Sequence, residues 1–145
     1  MKIGNYVGII LRFAVMVRYY RGIILVSPHG SSVMSGIKTI SLKSKRFTSI
    51  LDKPLLVIEK KIALGIIKLT NMREINLRDF VRLRPQHRIS DAERKKWWNG
   101  KKKLYAYDII VVKKFAHGRP VDYPVGVQGF VLPENITFLR AKKKK

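Results

Sequence analysis

The stretch Met34-Ser35-Gly36-Ile37-Lys38-Thr39-Ile40-Ser41-Leu42-Lys43 decides how this chain is read. Its first residues close a short segment, Ser31 to Gly36, with room for about a turn and a half of helix. Gly36 ends that helix, because glycine takes up the left-handed conformation at no steric cost. From Lys38 the period changes. Ile40 and Leu42 point one way and Thr39, Ser41 and Lys43 the other, which predicts an amphipathic strand with a polar, basic face.

Upstream of this segment, Arg21 to Ser27 is a β-rich run stopped by Pro28, His29 and Gly30. Downstream, Lys45 to Lys53 is a polar connection closed by Pro54. The apolar runs Leu55 to Glu59 and Ile62 to Ile67 predict a hairpin, although the Lys60-Lys61 between them is a poor turn sequence. Asn76 caps a predicted helix over Leu77 to Arg84, stopped at Pro85. Ser90-Asp91-Ala92-Glu93 is a capping box that opens a second helix through Trp98, with Asn99-Gly100 as its stop. Leu104 to Phe115 is apolar on both alternations in its middle, which predicts a central strand covered on both sides. Val125 to Leu132, bounded by Pro124 and Pro133, is the expected last strand. Five or six strands with short helices inserted, and no regular βαβ alternation, predict an α+β fold built on a small mixed β-barrel.

The chain has 145 residues, the length of one domain. Its 31 Lys and Arg against 9 Asp and Glu leave a net charge of +22, where solubility needs a magnitude of only about 2–8. Hydrophobic residues make up 46%, enough for a core, so the excess charge speaks of polyanionic partners rather than of disorder. It is unevenly spread. Residues 1–51 carry Lys2, Arg12, Arg18, Arg21, Lys38, Lys43, Lys45 and Arg46 and no acid, and Lys142 to Lys145 end the chain in an unbroken basic run. Residues 104–140 are nearly neutral and are expected to be mostly core. Cysteine is absent, which excludes disulfides, thiolate zinc and a cysteine nucleophile. His29, His87 and His117 lie far apart with no ligand spacing, so no metal or cofactor is expected. The run Val7 to Val17 is too short and too interrupted by Arg12 for a membrane span or a signal peptide. It reads as an extra strand or helix laid on the domain, and Met16 as an alternative start.

Lys38, Thr39, Ser41, Lys43, Lys45 and Arg46 sit in the acid-free segment, where phosphate oxygens meet uncancelled positive charge; a solvated strand face is the other reading. Trp97, Trp98, Lys101, Lys102 and Lys103, followed by Tyr105 and Tyr107, interleave flat rings with charge, a composition that suits backbone attraction with base stacking. One of the two adjacent tryptophans, about 100° apart on a helix, is expected to be core; Tyr105 and Tyr107 share a strand face and pack the barrel in the alternative reading. His87 and Arg88 form a possible loop site, with His87 equally placed for a structural hydrogen bond. Asp108, inside the central strand, needs a cationic partner.

Two resemblances follow from these residues. Met34 to Lys43 resembles the opening of ASCH domains of the PUA-like superfamily, where the pattern is close to Gly-x-Lys-x-x-Glu-x-Arg. Gly36 and Lys38 match, Ser41 stands where Glu is usual, and Lys43 replaces Arg. His87-Arg88-Ile89-Ser90 with Glu93 to Trp98, then Leu104 to Tyr107 and Tyr123 to Phe130, looks like an uncharacterised PUA-like group from archaea and their relatives. Together they cover about residues 22–138, leaving 1–21 as an N-terminal extension and 139–145 as a basic tail. The resemblance implies a pseudo-barrel with a cleft between the helix near Ser31 to Ser35 and the strand carrying Lys38. The resemblance implies RNA binding there, as PUA-like domains often show, or the binding or hydrolysis of modified nucleosides, as in some ASCH members.

The expectation is a non-enzymatic binder of structured RNA, in the cytoplasm and in its concrete form associated with the ribosome through rRNA, with other ribosomal proteins as neighbours and tRNA as another possible target. No DNA or membrane partner is expected. The expected RNA contacts are Lys38, Thr39, Ser41, Lys43, Lys45 and Arg46, then His87, Arg88, Trp97, Trp98 and Lys101 to Lys103, together with Lys142, Lys143, Lys144 and Lys145. The rival is a small amidohydrolase acting on a modified pyrimidine nucleoside, with Lys38 and Ser41 as its catalytic pair and Glu59, Asp91 or Glu93 as acid partner.

Overall fold

The computed structural model describes residue 17 and residues 19–140. The apolar run before Val17, Met16 as a start and the tail Lys142 to Lys145 lie outside the described residues. In chain order the elements are β1 (Arg21–Ile24), α1 (His29–Met34), β2 (Ile40–Lys43), β3 (Leu55–Glu59), β4 (Ile62–Ile75), α2 (Leu77–Arg82), α3 (Arg84–His87), α4 (Asp91–Trp98), β5 (Leu104–Asp122), β6 (Phe130–Val131), a 3-10 turn (Pro133–Asn135) and β7 (Thr137–Phe138). The strands form one curled mixed sheet in the order β2-β5-β4-β3-β1-β6, with β7 on β5. Only the β1–β3 pair is parallel among the described strands.

β3 is buried along its whole length and shows why the sheet curls. Leu55 and Val57 enter one core with Ile23, Leu25, Val33, Ile67, Leu69 and Tyr107. Leu56 and Ile58, one residue out of phase, enter a second with Ala63, Ile66, Val121 and Val131. A third core lies under the helical insert, where Ile40 and Leu42 of β2 meet Ile75, Phe80, Leu83, Ile89 and Leu104. The period-2 pattern of β2 therefore aims its apolar face at the insert and leaves Ser41 and Lys43 on the opposite side.

Lys60 and Lys61 do make the β3–β4 turn, with φ of 50° and 59°. Both central residues of such a tight turn need positive φ, which glycine or asparagine ordinarily supplies. At Gly65 on β4, a Cβ would stand 2.3 Å from the Lys113 carbonyl oxygen and 2.6 Å from Met34 Sδ, so only glycine lets β5 and α1 approach. Gly36 ends α1 at φ +82°.

The structure corrects several expectations. The middle of β5 is not covered on both sides: Ile110, Val111 and Val112 are 51, 40 and 50% exposed. β2 pairs only with Tyr105 to Asp108 and β7 only with Val121 and Asp122, so between those points β5 has β4 as its one paired neighbour among the described strands. Much of 104–140 is accordingly surface rather than core. Val125 to Leu132 is a strand only at Phe130–Val131, because Gly126 and Gly129 turn the chain with positive φ. The first inserted helix ends at Arg82, and Pro85 does not stop helical structure but sits in the first turn of α3, where its missing N–H is harmless. The Ser90–Glu93 capping box forms as expected, and Asn76, expected as a cap, also closes a box with Asp79.

Candidate nucleic-acid interface

A cleft of about 1030 Å³ opens between α1, β2 and α4, lined by Lys38, Ser41, Lys43, Lys45, Lys96, His29, Trp97, Trp98, Phe47, Phe130 and the backbone of the 127–129 turn, among others. No carboxylate lines it. Its floor comes from the strand pattern: Ser41 and Lys43 lie beside Tyr107 and Tyr105 of β5 in register. Tyr107 is fully buried; its hydroxyl accepts the Phe47 N–H at 2.8 Å and donates to the Lys45 carbonyl at 3.1 Å, which ties the 45–47 loop to the barrel.

Lys38 enters the cleft from a pinned segment. The N–H groups of Ile37 and Lys38 both donate to the Ser32 carbonyl at 3.0 Å, and Thr39 N–H donates to Gln86 at 2.8 Å. The Lys38 side chain is 3% exposed and its Nζ donates to the His87 carbonyl at 2.5 Å. Burial lowers its pKa to about 7, helped by the neighbouring Lys43 and opposed by the field of Glu93. Burial likewise lowers Lys43 to about 8, and its Nζ stands 4.9 Å from the centre of the Phe130 ring. Burial thus favours the neutral forms of both amines, and an anion entering this carboxylate-free lining would favour the charged ones.

His87 is wholly buried, and the structural reading holds for its side chain. Nε2 donates to the Phe80 carbonyl at 2.7 Å and Nδ1 accepts the Ile89 N–H at 2.9 Å, which fixes one neutral tautomer. Its contribution to the cleft is the carbonyl that holds Lys38. Burial also pushes its pKa down, against the pull of the Phe80 carbonyl.

The three candidate acids are sorted by their partners. Glu59 accepts the Ser31 N–H and hydroxyl at 3.1 and 2.8 Å and braces α1. Asp91 pairs with Arg84. Glu93 is the one whose charge reaches Lys38, and its second oxygen accepts from His29 Nε2 at 2.7 Å. Burial alone raises the Glu93 carboxyl, but the hydrogen bonds from Ser90 and His29 outweigh it and hold the group below its ordinary value.

Both tryptophans are half-buried and both line the cleft, so neither is the fully buried core ring expected of one of them. Their rings meet edge-on at 5.6 Å, and Trp97 meets His29 at 5.7 Å. Thr39, Arg46, Arg88 and Lys101 to Lys103 are exposed and lie outside the cleft lining. Asp108 finds its cation in Arg73 at 3.1 Å, on the half-exposed strand surface rather than in the core. Sequence reasoning missed His29, Phe47, Lys96 and Phe130. Glu93 is one of three acids the sequence cannot tell apart, and the placement of α1 against it singles it out. Among the described residues no group of His, Cys, Asp and Glu gathers as a metal site, and no helix is long and apolar enough to cross a membrane.

The curled mixed sheet, the inserted helices and the cleft between α1 and β2 define an ASCH/PUA-like pseudo-barrel. Among solved structures the chain is similar to the ASCH protein of Zymomonas mobilis, with a TM-score of 0.61 at 17% identity over 85% of this chain and 89% of that one. A Ser-to-Ala variant of that protein gives 0.61 at 16% over the same shares, and a Tyr-to-Phe variant 0.60 at 17% over 84% and 91%. The likeness at this identity is one of fold. No protein-family model and no curated protein sequence matches the chain.

Proposed function

We propose that this protein binds structured RNA and seats an unpaired nucleotide in the cleft. The observation that carries this reading is the cleft itself, with Lys38, Lys43, Lys45 and Lys96 on its lining, four aromatic rings beside them and no acid. Lysines supply sequence-independent attraction to phosphate, and half-exposed rings offer a stacking platform to a base. Only an unpaired base exposes both faces to such rings. A titration of a labelled stem-loop RNA tests it. The log–log salt slope is expected to be roughly 0.7–0.9 per phosphate contact, and Lys43→Ala with Lys45→Ala lowers both affinity and slope. A slope near zero overturns the proposal.

The finer form of the reading is ribosomal RNA in the cytoplasm, with tRNA as the alternative target. Its support is the net charge of +22, more than a single nucleotide pocket requires. Co-sedimentation with ribosomal particles in a sucrose gradient, released by high salt, is the expected result; migration with free protein overturns it.

One observation favours a second reading. Lys38, held near pKa 7 beside Ser41, is partly neutral at physiological pH and able to act as a base. In that reading the cleft is the site of an amidohydrolase acting on a modified pyrimidine nucleoside. Turnover lost in Lys38→Ala, with RNA affinity nearly intact, would replace the binding proposal.

A further inference from the structure

The basic surface continues beyond the cleft. Within residues 73–103 every carboxylate is already engaged: Glu74 with Lys103 at 3.9 Å, Asp79 with Arg82 at 3.2 Å, Asp91 with Arg84, and Glu93 with His29. Lys95, Lys96, Lys101 and Lys102 are exposed, and among the described residues no carboxylate lies within ion-pair distance of them.

These cations are placed by structure. Gly100 turns the chain at φ +80°, and Lys101 N–H donates back to the Trp98 carbonyl at 3.0 Å. Arg94, from the middle of α4, donates through Nη2 to the Lys101 carbonyl at 2.6 Å. The loop is thereby folded onto its own helix, with Lys101 and Lys102 beside the end of α4. Lys96 and Trp98 also line the cleft, so this cationic surface starts at the cleft's rim. α4 buries none of its residues completely, and unpaired like charges side by side weaken the fold. Their placement is explained by a ligand that neutralises them.

We infer that α4 and the 99–103 loop form a phosphate track, on which the RNA strand continues after the nucleotide held in the cleft. The inference rests on the RNA-binding reading and adds to it a direction: the strand passes Trp98 and Lys96 and lays its flanking phosphates on Lys95, Lys101 and Lys102. The ligand is then an unpaired segment of several nucleotides rather than a lone nucleoside.

The test is a length series of oligouridylates, from the mononucleotide to an eight-nucleotide strand, bound to the full chain and to the triple variant Lys95→Gln, Lys101→Gln, Lys102→Gln. Lys96 is left in place because it lines the cleft. Wild type is expected to gain affinity with length. The triple variant keeps the mononucleotide affinity and loses most of that gain. Three lost contacts at about 0.7 each lower the log–log salt slope for the long strand by about 2. Over a fourfold rise in salt this is a difference of about 16-fold in affinity. Wild-type affinity that does not grow with length, or a triple variant with the full gain, overturns the track and leaves the cleft reading standing. The reverse failure is also visible: a long strand bound through the track, with no mononucleotide binding, removes the cleft and keeps the track. Circular dichroism and an unchanged melting temperature show that the triple variant is folded.

Discussion

His29 Nε2 and Glu93 Oε2 stand 2.7 Å apart and join α1 to α4, the two helices that flank the cleft. The same carboxylate closes the capping box of α4 through its other oxygen, which accepts the Ser90 N–H at 3.0 Å. One side chain thus starts the helix that carries both tryptophans, docks it on the barrel, and sets the field felt by Lys38.

Exchange of Glu93 separates these roles. Glu93→Gln keeps a hydrogen-bonding group at the cap and removes the charge, so stability is expected to fall by about 1 kcal/mol. The field that raises the Lys38 pKa disappears with it, and the pH at which RNA affinity declines moves downward. His29→Ala breaks the same link but leaves the carboxylate, so the pH midpoint is expected to stay. Melting curves and affinity–pH profiles of the two variants check this; identical profiles would contradict it.

The pH dependence of wild type follows from buried Lys38 and partly buried Lys43. Folded Lys38 is near 7 and Lys43 near 8, against an ordinary value of 10.5. Phosphate binds the charged amines, so RNA affinity is highest below about pH 7 and falls as pH rises through 7–8. Stability moves the other way. Between about 7 and 10.5 the unfolded chain holds protons that folded Lys38 has released, so stability rises with pH across that window. Lys38→Met is expected to flatten the rise and to stabilise the protein near neutral pH by roughly 2–4 kcal/mol. Thermal midpoints from pH 6 to pH 10 measure it; a variant less stable than wild type at pH 6 would show that Lys38 is held for its hydrogen bond to His87 instead.

The local pattern was legible where period and caps decide the structure. Gly36, Asn76 and Ser90 mark element ends by chemistry that acts within a few residues, and the alternation of Ile40, Ser41, Leu42 and Lys43 reports which side faces the cleft. What alternation cannot report is depth. Ser41 and Lys38 read as a solvated polar face, yet both are buried, Lys38 against the His87 carbonyl of α3, which comes from 49 residues away in sequence. The opposite error befell Ile110, Val111 and Val112, whose apolar character reads as core although they stand about half exposed, past the end of the stretch paired with β2. Phe47, Phe130 and His29 join the cleft only through long-range packing, and no motif in their own neighbourhoods announces it.

Gly65 tests the fold independently of the cleft. A methyl group there meets the Lys113 carbonyl at 2.3 Å, and backbone paired in a ladder cannot move aside as a flexible side chain does. Gly65→Ala is expected to cost about 3 kcal/mol, at the upper end of overpacking substitutions. Gly36→Ala meets nothing within 4 Å and is strained only by its positive φ, so about 1 kcal/mol is expected there. Denaturant unfolding of the two variants ranks them; a larger loss at Gly36 would mean that β4 and β5 are less closely joined than their register requires.

The tryptophan pair gives the sharpest separation of packing from binding. Full burial of a tryptophan makes its truncation cost ~3–5 kcal/mol, but Trp97 and Trp98 are each half-buried against the core under the insert. Each single replacement by Ala is therefore expected to fold, with a loss of about 1–2 kcal/mol, because part of each ring already faces water. Trp97 also packs its ring against His29, so its removal loosens the joint between α1 and α4 and is expected to be the more destabilising of the two. Trp98 leads from the cleft to Lys101, whose N–H its carbonyl accepts at 3.0 Å, and the backbone bond survives the loss of the side chain. Stacking on a base is worth about 1–3 kcal/mol. Trp98→Ala is accordingly expected to lose RNA affinity by that amount while remaining folded. Fluorescence of the tryptophan left in each single variant, followed during RNA titration, assigns the stacked ring directly. Equal quenching by acrylamide with and without RNA in both variants would take the pair out of the interface and leave it as packing for α4.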